Sequence, residues 1–96
     1  MDIKTNIADN KATIALAGWL DTETAPQLGE AVSGLPENVT GLVLDFAELE
    51  YISSAGIRQI VAAHKAVKGS FSLINVSPEI LEVLNMTGVA KRIDIA

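Results

Sequence analysis

Two adjacent serines, Ser53 and Ser54, stand directly before Ala55-Gly56-Ile57, where a helical pattern begins. A helix amino end exposes unpaired backbone N–H groups and carries partial positive charge, so it stabilises an anion. A phosphoryl group on a serine at that point would bring about −1.5 to −2 charges and three acceptor oxygens to a place able to hold them. The competing reading is that Ser53 or Ser54 simply caps the helix, because serine is a favoured N-cap. Asp21 is a second candidate, read either as an acid near the same surface or as a first-turn acid complementing a helix dipole. Asp45 reads as a loop-capping acid, and Gly56 as a residue that lets backbone approach closely. Trp19 is either an exposed interface anchor or a core residue.

Other chemistries are disfavoured. His64, the single histidine, lies ten helical residues from Ser54, about 15 Å along the axis, too far to act as its base. It reads as a packed or half-exposed core residue. With no cysteine in the chain, disulfides, thiol catalysis and Cys-based zinc sites are excluded, and a lone histidine makes a dedicated metal site improbable. No glycine-rich phosphate loop of nucleotide-binding spacing is present. No cofactor is expected.

These residues need elements to position them. Ile3 to Ile7 and Ile14 to Leu16 alternate apolar with polar about Asp9-Asn10-Lys11, so residues 3–17 read as a hairpin closed by Gly18. Asp21 to Thr24 supply capping residues, Pro26 fits an early helical position, and Gly34 with Pro36 stops that helix. Leu42-Val43-Leu44 is a continuous apolar run, the mark of a strand covered on both faces. Residues 46–53 read as a connecting loop, followed by a helix from Ser54 to about Lys68 with Gly69 as its stop. Phe71 to Val76 form another buried strand. Ser77-Pro78-Glu79 opens a helix with Ile80, Leu81 and Leu84 inward, and Gly88 ends it. Ile93 and Ile95 add a short last strand.

The order β-β-α-β-α-β-α(-β) implies an α/β fold: a small mixed, mostly parallel sheet of four to five strands with three to four helices. In such sheets, function collects at the carboxyl ends of strands, which singles out the segment from Asp45 to Ile57. The 96 residues suffice for one domain, 1–96. Seven basic against twelve acidic residues leave a net charge of −5. That balance argues against nucleic-acid and polybasic membrane-surface roles. With no signal-like start and no apolar run of membrane length, a cytoplasmic protein is expected, with a monomer as the default.

The stretch Asp45-Phe46-Ala47-Glu48-Leu49-Glu50-Tyr51-Ile52-Ser53-Ser54-Ala55-Gly56-Ile57 resembles the central motif of the STAS domain, the bacterial anti-sigma factor antagonist family. Two further stretches match it in order. Gly18-Trp19-Leu20-Asp21-Thr22-Glu23-Thr24-Ala25 is similar to the family's Gly-x-Leu-Asp-x-x-Thr-Ala, and residues 80–89 to its late Leu-x-x-Thr-Gly-Leu turn. The resemblance spans essentially the whole chain. It implies a phosphorylation-switched binding module rather than an enzyme. Unphosphorylated, such a protein binds an anti-sigma factor serine kinase and so releases a sigma factor; a serine phosphatase resets the switch. By the match the phosphoacceptor is Ser54, with Asp21, Ser53, Ala55, Gly56 and Ile57 at or near the partner surface. One departure stands: the family commonly carries Asp where this chain has Ser53. Two alternatives remain, a non-phosphorylated adaptor in a signalling or lipid-transport assembly and a nucleotide- or anion-sensing domain.

Overall fold

Alternation and turn chemistry build the first two strands. In the computed structural model, which describes residues 1–67 and 69–95, β1 (Asp2–Ala8) and β2 (Lys11–Leu20) pair antiparallel. Asp9 and Asn10 both take positive φ, 51° and 66°, as a two-residue hairpin turn compatible with strand twist requires. The remaining elements are α1 (Ala25–Ser33), β3 (Gly41–Ile52), α2 (Ser54–Ala66), β4 (Ser70–Ile74), α3 (Pro78–Met86) and β5 (Asp94–Ile95). A single 3-10 turn, Val89–Lys91, precedes β5. Among the described residues this is the mixed, mostly parallel five-stranded sheet with three helices that the sequence pattern implies.

The strands lie in the sheet in the order β1-β2-β3-β4-β5, the same as in the chain, and only the β1–β2 pair is antiparallel. Every right-handed crossover therefore steps the same way, which puts all three helices on one face. Burial follows. Ile14, Leu16, Leu42, Leu44, Phe71 and Leu73 point into the helix layer and are buried. Their alternating neighbours Thr13, Ala15, Val43, Ser72 and Ile74 remain partly exposed on the other face. The expectation that Leu42-Val43-Leu44 is covered on both faces is thus corrected: Val43 looks onto an open face. Each helix contributes one fully buried anchor to the core, Leu28, Ile60 and Leu84. Burying such a side chain stabilises by about 1.5–3 kcal/mol.

Several boundaries also differ from the sequence reading. Gly18 does not close the hairpin; it takes φ 105° next to a register shift, and β2 runs on to Leu20. Residues 46–52 are not a loop but the second half of β3, which keeps pairing with β2 across two register shifts. Those irregularities space the buried Phe46, Leu49 and Ile52 by three residues rather than two. The helix end expected at Lys68 lies outside the described residues. The helix has already stopped by Val67, whose backbone is extended. Gly69 serves close approach instead: a Cβ there would run into the Thr40 carbonyl. β4 ends at Ile74 because Asn75 turns into the left-handed region, φ 56°. Leu81 is half-buried, whereas Ile80 and Leu84 form the inner stripe of α3. Gly88, at φ 79°, follows the α3 C-cap as expected.

Candidate functional site at the strand ends

The carboxyl ends of β2 and β3 finish side by side. Trp19 pairs with Tyr51 and Leu20 with Ile52, and the Ser53 N–H then donates to the Leu20 carbonyl at 2.9 Å. This ladder holds Asp21 and Ser53 one residue beyond adjacent strand ends, so Asp21 and the Ser53–Gly56 segment share one rim.

The two serines take different jobs there. Ser53 has extended backbone, φ −100° and ψ 175°, and its Oγ accepts from the Gly56 N–H at 3.3 Å. It is the N-cap. Ser54 is the first helical residue and is exposed. Among the described residues no hydrogen bond engages its hydroxyl. The first turn of α2 holds no acidic residue, so nothing there offsets the partial positive charge of the helix end.

Gly56 and Ile57 are buried and Ala55 half-buried. A Cβ on Gly56 would lie 2.8 Å from both Leu20 Cγ and the Leu20 carbonyl oxygen, and 2.9 Å from Ile52 Cγ1. Only glycine lets this helix start sit directly on the strand ends. Both residues therefore hold the amino end of α2 in place and leave Ser54 facing outward.

Asp21 is fixed by its own turn. Its Oδ1 accepts from the Glu23 N–H at 3.0 Å and from the Thr24 N–H and Oγ1 at 3.1 Å each. Thr24 Oγ1 in turn accepts from the Asp21 N–H at 2.8 Å and lies 2.7 Å from the Trp19 carbonyl. The Thr24 N–H chiefly holds the Asp21 carboxyl below the usual carboxylate range; the Thr24 hydroxyl and the Glu23 N–H add to this, and partial desolvation opposes it. The first-turn reading is corrected: α1 begins at Ala25 and its first turn holds no acid, so Asp21 instead shapes the turn that enters α1, on the rim beside Ser53.

Asp45 accepts from the Ala47 N–H and from Asn75 Nδ2, both at 2.9 Å. It stabilises the irregular part of β3 and ties it to the end of β4. His64 packs its ring edge against Phe71, centroids 5.3 Å apart; it is half-buried, and its Nδ1 has no partner among the described residues. Trp19 is 58% exposed, which removes the core reading, and it stacks beside Tyr51 at 5.3 Å. The sequence reading gave Tyr51 no role. The signal was its place two residues before the cap, on a strand whose Ile52 points inward.

No group of three or more His, Asp or Glu among the described residues could hold a metal ion. Among them, no helix is long and apolar enough to cross a membrane.

Comparison with known proteins bears on the family and the fold. The family model described as "Mlab, STAS domain" matches residues 3–95. The chain is 31% identical to the anti-sigma-B factor antagonist of Bacillus subtilis, covering 100% of this chain and 89% of that protein. A solved anti-sigma factor antagonist from Mycobacterium paratuberculosis superposes with a TM-score of 0.88 at 21% identity, over 98% of this chain and 83% of that one. The phosphorylated form of the Bacillus cell-fate determinant SpoIIAA superposes with a TM-score of 0.69 at 19% identity, over 99% and 91%. The two structural likenesses are likenesses of fold.

Proposed function

The chain belongs to the STAS domain family, and from that premise we propose that it is a binding module switched by phosphorylation of Ser54. Unphosphorylated, it binds an anti-sigma factor serine kinase through the strand-end rim and keeps that kinase from its sigma factor. The kinase transfers the γ-phosphoryl group of ATP to Ser54 Oγ, ADP leaves, and the hydroxyl proton goes to a base on the kinase. A serine phosphatase restores the hydroxyl. In this reading the chain is the substrate and carries no catalytic residue of its own.

The observation that carries the reading is the division of labour between the serines: Ser53 Oγ is held as the cap, and Ser54 Oγ is exposed at the first helical position. It also gives the departure at position 53 a physical sense, because Asp and Ser are equally good N-caps. The likeness to the Bacillus subtilis anti-sigma-B factor antagonist supports the partner class. The switch needs no change of shape. A phosphate at Ser54 sits favourably on the helix end, while a partner packed over it would bury an unmatched charge.

A second reading, the non-phosphorylated adaptor, is favoured by the name Mlab in the matched family description. The deciding experiment is intact mass and phosphopeptide mapping after incubation with source-cell lysate and Mg-ATP. One added phosphoryl group, lost in Ser54→Ala and kept in Ser53→Ala, is the expected result. No added mass in a lysate of confirmed kinase activity, or a group that persists in Ser54→Ala, moves the conclusion to the adaptor.

A further inference from the structure

The two edges of the sheet differ in what they offer. β5 is two residues long, too short to template much pairing, whereas β1 runs for seven, Asp2–Ala8, in one unbroken register against β2. Six of the seven are exposed, Ile7 at 43%, and the strand holds no proline and no bulge. The hairpin turn fixes which backbone groups are free. Asp9 and Asn10 form a two-residue turn, so Ala8 and Lys11 are a hydrogen-bonded pair, and the pattern alternates from there. The N–H and C=O groups of Asp2, Lys4, Asn6 and Ala8 therefore point at β2. Those of Ile3, Thr5 and Ile7 point outward, and among the described residues no other segment bonds to them.

We propose that β1 pairs antiparallel with β1 of a second copy, about a two-fold axis at Thr5. The free groups set the register. With Thr5 opposite Thr5, Ile3 lies opposite Ile7 of the second copy and Ile7 opposite its Ile3, and all three residues occupy hydrogen-bonded positions. A shift of two residues one way sets Lys4 against Lys4, and the other way leaves Ile3 beyond the paired strand. The side chains fit the same register. Ile3, Thr5 and Ile7 pair with the inward-facing Leu16, Ile14 and Ala12, so they stand on the helix side of the sheet. Each exposed Ile7 thus gains an apolar cross-strand neighbour. On the open side, Asp2 falls opposite Ala8 of the second copy, whose neighbour across its own hairpin is Lys11. A lysine side chain reaches over the small alanine to the carboxylate, and the axis repeats this pair. Lys4 meets the Asn6 amide rather than a like charge.

The result is one ten-stranded sheet with both helix layers on the same side. Asp2 pairs with Ala17 near the carboxyl end of β2, so the two-fold sends the two Ser54 rims to opposite ends of the dimer and leaves both free. The proposal therefore stands apart from the phosphorylation reading and replaces the monomeric default at high concentration. Edge pairing alone is smaller than the roughly 1,200 Å² of a standard interface, so a weak dimer is expected, with Kd on the order of 100 μM.

The test is sedimentation equilibrium on the intact chain, from about 10 μM to about 1 mM to bracket that Kd. Thr5→Pro removes the two N–H groups at the axis and no bond of the β1–β2 ladder. It is expected to melt close to the parent and to raise the dimer Kd at least about tenfold. Cross-linking reads the register in a chain that has no cysteine of its own. Thr5→Cys faces itself at a Cα separation of about 5.5 Å, within disulfide range, whereas Asn6→Cys is diagonal to itself at about 7–8 Å, outside it. In a glutathione redox buffer Thr5→Cys is expected to give a covalent dimer, and Asn6→Cys at least about tenfold less of one. A monomer throughout the concentration range, an unchanged dimer in Thr5→Pro, or equal cross-linking of the two cysteine variants would overturn the proposal. Ser54→Asp is expected to dimerise as the parent does, whatever the phosphorylation mapping shows, and loss of the dimer there overturns the independence of edge and rim.

Discussion

The amino ends of α2 and α3 start alike and end up with different chemistry. Each is capped by a serine, Ser53 or Ser77, whose Oγ accepts from the N–H three residues on at 3.3 Å. At α3 the next two residues are Pro78 and Glu79: a side chain with no hydroxyl, then an acid that already meets the dipole. At α2 the next residue is Ser54, exposed, with no acid in the first turn. The third residue after the cap differs as well. At α3 it is Ile80, a core side chain; at α2 it is Gly56, pressed on Leu20 and Ile52. A serine cap is therefore only a helix signal. A cap followed by a free hydroxyl, an uncompensated dipole and close packing on two strand ends is a place where added charge can be held and read.

The largest expected effect tests whether that free hydroxyl matters to a partner. Ser54→Asp should weaken kinase binding by about 2–5 kcal/mol, tens- to thousands-fold, with Ser54→Ala binding as the parent does, by calorimetric titration. Equal affinities in all three proteins would reduce α2 to a second α3. Next is the glycine. Gly56→Ala should lower stability by about 1–3 kcal/mol through overpacking on Leu20 and Ile52, read by urea unfolding. A neutral result would mean that α2 is free to lift off the strands. The caps should then prove equal: Ser53→Ala and Ser77→Ala each cost about 1 kcal/mol in the same assay, while Ser53→Asp costs little. The smallest effect belongs to Asp21 at the neighbouring entry to α1. Its carboxyl is held below the usual carboxylate range, so its contribution is present above that range and is lost as pH falls through the folded-state value. Near neutrality Asp21→Asn should melt below the parent, and the gap should close as pH falls below the usual carboxylate range.

Much of this was legible in the chain because capping and turn chemistry are local. Ser77-Pro78, Asp9-Asn10 and Gly88 behave as their types dictate, and Ser54 lands at a helix start at the end of a strand. What escaped was non-local. The second half of β3 looked like loop because register shifts against β2 turn a period of two into a period of three at Phe46, Leu49 and Ile52. The open sheet face escaped because Val43 shows its exposure only once the strand order is known. Gly69 matched a helix stop by type, but its neighbour Thr40 is far away in sequence. Which serine caps and which is free was open until the backbone of Ser53 was seen to be extended.

Strand order also bears on how the molecule comes into being. Each of the strands β2 to β4 pairs only with the strands just before and just after it in the chain. During synthesis, every new βα unit can therefore add to an edge that already exists, without waiting for a distant segment to close the sheet. Partners near in sequence keep the loop-closure cost of each step low. The strand order thus lets the sheet be extended from its hairpin one unit at a time, and the rim bearing Ser54 needs only β2, β3 and α2 to be in place.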